Sequence, residues 1–110
     1  MTTTQPAVIA RYLAAAEAQD PQACAECFTE DGTVLDEGRT YRGRAEIAGW
    51  RRDLVGRFTY TTTITGSEPA GPDGYRVTVT LEGDFPGGIA HLTYVFALRG
   101  DLVADLRIVG

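Results

Sequence analysis

Hydrophobic residues in this 110-residue sequence follow two different spacings, and the change between them falls near Val55. Before that point they recur every three or four positions, which is the period of an amphipathic helix. After it they alternate with polar residues, which is the period of a strand with one buried face. The chain is therefore predicted to pack helices from its first half against a sheet formed mainly by its second half.

Three helices are predicted in the first half. They span residues 6–19, 21–28 and 44–55. Asp20-Pro21 ends the first helix and supplies the N-cap and the first position of the second. The third helix carries a hydrophobic stripe at positions i, i+3 and i+7, formed by Ile47, Trp50 and Leu54.

A short strand is predicted between the second and third helices, over residues 33–36. Alternation along it puts Val34 and Asp36 on one face and Leu35 on the other, so that a carboxylate is expected on an apolar face. A second interpretation leaves the carboxylate at the surface, where Asp36 caps a bend or pairs with Arg39 or Arg42.

Four further strands are predicted in the second half, starting near Phe58 and ending with residues 102–109. On the third of them the core face is formed by Leu92, Tyr94, Phe96 and Leu98. A hairpin centred on Gly100 would place Asp105 opposite Val95. Residues 1–110 are thus predicted to form one α+β domain, with three N-terminal helices packed on a curved, mostly antiparallel sheet.

Composition excludes several classes of function. All ten basic residues are arginine, so that a lysine Schiff base and pyridoxal phosphate chemistry are excluded. The single serine, Ser67, lies in a predicted turn, which argues against a serine hydrolase. A net charge of −5 with scattered arginines argues against nucleic acid as a partner. No cofactor is expected.

Neither a signal peptide nor a membrane-spanning helix is predicted. The first residues include no basic segment followed by an apolar one, and apolar stretches are only a few residues long. We therefore expect a cytoplasmic protein without a membrane partner. The use of arginine without lysine, together with abundant alanine and glycine, suggests a GC-rich bacterial genome.

Two cysteines, Cys24 and Cys27, have the spacing of a redox or metal pair. Together with Phe28 they also fall at i, i+3 and i+4 of a helix, which is the spacing of a buried stripe. A zinc site would need more ligands than the single histidine readily completes. Core packing is therefore the preferred interpretation, and no metal site is predicted.

The order of these elements, together with particular residues, resembles the nuclear transport factor two-like superfamily. That superfamily includes ketosteroid isomerases and SnoaL-like polyketide cyclases, and the resemblance covers nearly the whole chain. It rests on residues 11–16, residues 20–28, residues 30–36, Tyr41-Arg42-Gly43 and Ile47. The resemblance implies a cone-shaped fold and is less specific for activity.

Tyr12 and Asp36 resemble two active-site residues of ketosteroid isomerases. In those enzymes a helix-one tyrosine donates a hydrogen bond to the developing enolate oxygen, and an aspartate shuttles the proton between carbons. Those isomerases also use a second, protonated aspartate on a late strand. Here the corresponding position is Tyr94, so that half of that oxyanion site is altered. Tyr12 and Tyr94 are also suited to ordinary core packing.

His91 and Asp105 resemble a second pair, the histidine and late-strand aspartate with which polyketide cyclases of this fold perform acid–base catalysis. Unaided alternation turns both residues away from the core face, unless a bulge reverses it. An epoxide-hydrolase-like site with Asp105 and Arg107 is disfavoured for the same reason.

These observations predict an apolar pocket between helices and sheet for a small hydrophobic or carbonyl-bearing ligand. Its expected lining residues are Phe58, Trp50, Tyr94 and Phe96. The expected chemistry is cofactor-free isomerisation or cyclisation by proton abstraction next to a carbonyl, with Asp36 as base and Tyr12 as oxyanion donor. The alternative is a binding or assembly module of the same fold without catalysis. A homodimer is expected, because a chain this short buries limited surface alone.

Overall fold

Three helices and six strands form the part of the chain that the computed structural model describes, residues 6–110. The helices are α1 (Ala7–Glu17), α2 (Pro21–Glu26) and α3 (Arg44–Arg57). The strands are β1 (Phe28–Asp36), β2 (Arg39–Arg42), β3 (Tyr60–Pro69), β4 (Gly74–Gly83), β5 (Ile89–Arg99) and β6 (Leu102–Val109). The predicted α+β class, with helices before a mostly antiparallel sheet, is confirmed.

The six strands form one sheet in the order β2-β1-β6-β5-β4-β3. Among the described strands, β1 and β6 pair in parallel and the other neighbours are antiparallel. The parallel pairing aligns Asp36 with Ile108, so that the end of β1 lies beside the end of β6. The sheet therefore joins β1 and β6, the first and last of the described strands, next to the edge strand β2.

The sequence did not predict β2 and placed the start of β1 five residues too late. β2 is four residues long and mostly exposed, so it shows no alternation of apolar and polar residues. It returns from β1 through Glu37 and Gly38, whose φ angles of 52° and 77° suit a tight two-residue hairpin. This hairpin brings Asp36 to the last position of its strand.

The start of α2 forms as predicted. Asp20 Oδ1 accepts a hydrogen bond from the backbone N–H of Ala23 at 3.1 Å, and Pro21 occupies the first turn of the helix. Cys24 and Cys27 are free thiols buried in the core, which confirms the core interpretation. No helix within residues 6–110 is long and apolar enough to cross a membrane.

One end of the sheet is filled by side chains from α1 and α2, and we call it the closed end. Its centre is the Tyr12 ring, which meets Phe28 and Phe96 edge to face at centroid distances of 5.9 Å each. Ile9 and Cys24 are also fully buried there. The backbone N–H of Val103 donates to the carbonyl of Cys27, which fixes α2 to β6. Aromatic packing and apolar burial therefore stabilise this end.

The β5–β6 register differs from the predicted hairpin by two residues. Asp105 lies opposite Ala97 rather than Val95, because the turn has two residues and Ala104 forms a bulge. The two-residue turn and the bulge each shift the β5–β6 pairing by one residue. Because the two shifts add up to two residues, the new partner of Asp105 lies on the same face of β5 as Val95. Asp105 therefore stays on the outer face that alternation predicts, although the register prediction was wrong.

Candidate functional site

The other end of the sheet, which we call the open end, encloses a cavity of about 570 Å³. Its wall is mainly apolar and comes from α3, the concave face of the sheet and the loop after β4. The lining residues are Asp36, Glu37, Trp50, Arg51, Leu54, Phe58, Tyr60, Leu81, Phe85, Pro86, Ala90, Leu92, Tyr94, Ile108 and Gly110. A cavity of this volume suits a small organic ligand.

The carboxylate of Asp36 lies half-buried in the wall of this cavity. Its Oδ2 accepts a hydrogen bond of 3.0 Å from the indole N–H of Trp50. Burial raises the pKa of Asp36, and the Trp50 hydrogen bond opposes part of that rise. The carboxylate is therefore held in one orientation and is more basic than an exposed aspartate.

The ion pairs found within residues 6–110 do not include Asp36. They join Arg57 to Asp53, Arg76 to Glu68 and Arg107 to Asp105. Asp36 and Arg39 are backbone neighbours across the β1–β2 hairpin, but the Asp36 side chain turns to Trp50 instead. The Asp36 carboxylate thus lies in the cavity wall and does not form the surface pair with Arg39 or Arg42.

Arg51 is a cavity residue that the sequence reasoning missed. Its side chain is 4% exposed, and its Nη2 donates to the hydroxyl of Tyr60 at 3.3 Å. Its guanidinium carbon lies 5.3 Å from the centre of the Trp50 ring. A signal was present, because Arg51 adds position i+4 to the stripe that starts at Ile47. The predicted stripe includes only its hydrophobic members, Ile47, Trp50 and Leu54.

Tyr94 and Trp50 lie in the cavity wall, where the sequence placed them. Tyr94 is 7% exposed, and its ring meets Phe96 edge to face at 6.3 Å. Burial raises the pKa of the Tyr94 phenol, and the nearby Asp36 carboxylate adds to the rise. The phenol is therefore neutral and available as a hydrogen-bond donor.

Phe58 also lines the cavity, but Tyr12 and Phe96 do not. Both belong to the closed end, where Tyr12 is 1% exposed and Phe96 is 0% exposed. The expected arrangement, with Tyr12 and Asp36 facing each other across the cavity and Phe96 in its wall, is therefore corrected. The reason is that α1 packs over the closed end. Its inward-facing side chains fill that end of the sheet and do not line the cavity.

His91 and Asp105 lie on the outer face of the sheet and outside the cavity. His91 Nδ1 is hydrogen-bonded with Thr80 Oγ1 at 3.0 Å. Thr33 Oγ1 donates to Asp105 Oδ1 at 2.5 Å, and Arg107 pairs with the same carboxylate at 3.5 Å. The structure does not bring this second pair together at the cavity, and Arg107 does not line the cavity either.

A curved mixed sheet with three N-terminal helices and a cavity at its open end defines the nuclear transport factor two-like class of folds. The model of the SnoaL-like domain matches residues 9–106, and the chain belongs to this family. No curated protein matches the sequence.

Solved structures carry the same fold. A proposed polyketide cyclase from Sinorhizobium meliloti is 30% identical, with a TM-score of 0.89 over 96% of this chain and 95% of that chain. A protein from Catenulispora acidiphila with a ketosteroid isomerase-like fold, solved with trimethylamine, is 24% identical, with a TM-score of 0.84 over 97% and 87% of the two chains. The Δ5-3-ketosteroid isomerase from Mycobacterium sp. is 17% identical, with a TM-score of 0.77 over 94% and 90%. The fold is thus shared with cyclases and isomerases.

Proposed function

We propose that the open-end cavity binds a small apolar molecule with a carbonyl group, and that Asp36 removes a proton from the carbon next to that carbonyl. The observation that carries this proposal is the half-buried Asp36 carboxylate in an apolar wall, hydrogen-bonded by Trp50 at 3.0 Å. A base in such a position keeps a raised pKa and meets substrate without competing water. Return of the proton at another carbon gives isomerisation, and attack of the enolate on a second carbonyl gives cyclisation.

The enolate oxygen formed in this step needs a hydrogen-bond donor. Tyr94 is suited to this role because it lines the same cavity and its raised pKa keeps the phenol protonated. Tyr12 lies outside the cavity wall, and its predicted role as donor passes to Tyr94 in this proposal. The reaction uses no cofactor.

Hydrogen exchange into a simple ketone tests the proposal. 2-Tetralone, an apolar bicyclic ketone, is incubated with the protein in D2O, and loss of its α-proton signal is followed by NMR. We expect exchange above the buffer rate, and a loss of about 100-fold or more in Asp36→Asn, which is the usual contribution of a general base. Full exchange activity in Asp36→Asn would contradict the proposal.

A matched control is Asp53→Asn, which makes the same chemical change at an exposed carboxylate of α3. Asp53 forms a surface ion pair with Arg57 and does not line the open-end cavity. We expect this variant to keep the wild-type exchange rate. Equal losses in both variants would point to a general effect on folding instead of a base at Asp36.

A binding protein without catalysis is the second candidate. It is favoured by the Trp50 hydrogen bond, which occupies one oxygen of Asp36 and stabilises its charged form. Ligand binding with no α-proton exchange for any ketone tested would support this function. The same experiment thus separates the two candidates.

We also propose that the protein forms a homodimer. The outer face of the sheet carries apolar side chains at Leu35, Val95 and Val109, and Val109 is 46% exposed. A second copy covering this face would bury them. Sedimentation equilibrium at micromolar concentration tests this, and a monomeric mass would overturn it.

A further inference from the structure

Arg51 is the one buried charged residue among residues 6–110. Tyr60 accepts a hydrogen bond from it, and Trp50 presents a ring face to it. The Tyr12 hydroxyl and the Cys24 thiol also lie close enough to interact with its charge. Burial raises the pKa of the Cys24 thiol to about 11, so that this neighbour is also uncharged near neutral pH. The guanidinium stays protonated at any ordinary pH.

A buried charge is costly unless an opposite charge compensates it. The ion pairs found within residues 6–110 do not include Arg51. Asp36 shares the cavity with Arg51 and attracts it at longer range, but the Asp36 carboxylate accepts its hydrogen bond from the indole of Trp50. The buried N–H donors of Arg51 have hydrogen-bond partners, but its positive charge has no ion-pair partner among the described residues.

The positive charge of Arg51 borders the open-end cavity. Arg51 lines the open-end cavity, so that a molecule in the cavity can reach its guanidinium. The exposed lining residues Glu37, Pro86 and Gly110 mark the mouth, whereas Arg51 is almost fully enclosed. An anionic group at Arg51 would lie deep in the cavity, with apolar walls around the rest of the ligand.

We propose that Arg51 binds the carboxylate of the ligand, and that the molecule recognised by this cavity is an apolar carboxylic acid. This inference rests on the proposed function, since the same cavity holds the ligand, and it narrows the substrate class to carbonyl compounds that carry a carboxylate. Planar guanidinium and planar carboxylate form two parallel hydrogen bonds, and the attraction between the two charges is stronger in an enclosed apolar site than in water. The Tyr60 hydroxyl, already bonded to Arg51, holds the fork in place.

Two ligands that differ only in charge test this inference. 4-Cyclohexylbutanoate and 4-cyclohexylbutanamide have nearly the same shape, and neither absorbs where tryptophan emits. Trp50 is the single tryptophan and lines the cavity, so that its fluorescence reports binding, with calorimetry as a second measurement. We expect the wild type to bind the carboxylate at least about tenfold more tightly than the amide.

Arg51→Gln removes the charge, and we expect it to bind the two probes within about twofold of each other. Arg52→Gln is the matched control, because Arg52 is the next residue of α3, is exposed and does not line this cavity. We expect this control to keep the preference for the carboxylate. Arg51→Lys keeps the charge without the planar fork, and we expect it to keep part of the preference.

The wild-type comparison decides the inference even if Arg51→Gln fails to fold. Equal affinities of the two probes, or binding of neither at millimolar concentration, would overturn it. A preference that survives in Arg51→Gln would assign Arg51 to the attachment of α3 to Tyr60 instead. An equal loss of the carboxylate preference in Arg51→Gln and Arg52→Gln would indicate an effect of general surface charge and would also overturn the inference.

Failure of this inference is distinguishable from failure of the proposed function. The probes contain no ketone, so the affinity difference does not depend on Asp36 as a base. A carboxylate preference in a protein that exchanges no ketone protons would support anion binding and contradict catalysis. Proton exchange into 2-tetralone without any carboxylate preference would give the opposite result.

Discussion

The closed end and the open end of the sheet are formed by the same strands, yet only the closed end is filled by side chains. On β5, Phe96 is fully buried at the closed end, whereas Leu92, four residues earlier on the same face, lines the cavity. On β1, Phe28 belongs to the closed end and Asp36 to the open end. Position along a strand, rather than its face, separates packing from a binding site.

The helices account for this difference. α1 and α2 pack over the closed end, where Tyr12 contacts both Phe28 and Phe96. Among the helices that the structure describes, only α3 contributes to the wall of the open-end cavity, through Trp50, Arg51 and Leu54. We infer that most of the folding free energy comes from the closed end, so that the open end can keep unfilled space and half-buried charges.

Truncation of one phenylalanine at each end gives the largest expected contrast. Phe96→Ala removes a fully buried ring, and we expect a loss of about 3–5 kcal/mol in the free energy of unfolding. Phe58→Ala removes a half-buried ring beside a cavity, and we expect a loss below about 2 kcal/mol. Urea denaturation measures both, and equal losses would abolish the distinction between the two ends.

Removal of one tyrosine hydroxyl at each end sharpens the comparison for activity. Tyr94→Phe deletes the proposed oxyanion donor, and we expect exchange into 2-tetralone to slow by about tenfold or more. Tyr12→Phe changes a residue outside the cavity wall, and we expect less than about a threefold change. A larger loss for Tyr12→Phe than for Tyr94→Phe would return the donor role to Tyr12.

Trp50→Phe tests how the hydrogen bond from Trp50 affects the pKa of Asp36. The indole N–H stabilises the charged form of Asp36, so its removal should raise the pKa of Asp36 further. Since the base acts in its deprotonated form, the rising limb of the exchange rate should move to higher pH. We expect a shift of at most about one pH unit. An unchanged pH profile would show that this hydrogen bond has no influence on the base.

Asp36→Asn tests the smallest expected effect, a gain in stability at neutral pH. The pKa of Asp36 is raised above 3.8 in the folded protein, so the folded state binds a proton more readily than the unfolded state. Its contribution therefore becomes less favourable as pH rises through the interval between the two pKa values. Thermal denaturation from pH 3 to pH 8 should find the variant more stable at pH 7, with the difference shrinking toward acid pH. A stability advantage of Asp36→Asn over the wild type that is absent at pH 7, or smaller at pH 7 than in acid, would contradict the assigned direction.

The faces of the strands were predictable from sequence, but their pairing was not. Alternation correctly placed Asp36 beside Val34 and turned Asp105 outward, because side-chain direction is a property of consecutive residues. The parallel β1–β6 pair, β2 and the bulge at Ala104 depend on contacts between distant segments, and no local pattern encodes them.

The residues of the candidate site also fall into two groups, those that the sequence predicted and one that only the structure shows. Trp50, Asp36, Tyr94 and Phe58 were predicted from periodicity and resemblance, and all four line the cavity. Arg51 was missed because a charged residue on a hydrophobic stripe is normally exposed, and only an enclosed cavity makes its burial visible.

By itself the sequence determined the two hydrophobic periods, and with them the three helices, the sheet and the face on which each side chain lies. It also determined that an aspartate ends an apolar strand face and that the basic residues are arginines. The tertiary structure decided that Tyr12 and Phe96 fill the closed end while Asp36, Trp50 and Arg51 meet around a cavity. Periodicity follows from backbone geometry within a few residues, whereas empty space depends on where helices distant in sequence come to pack.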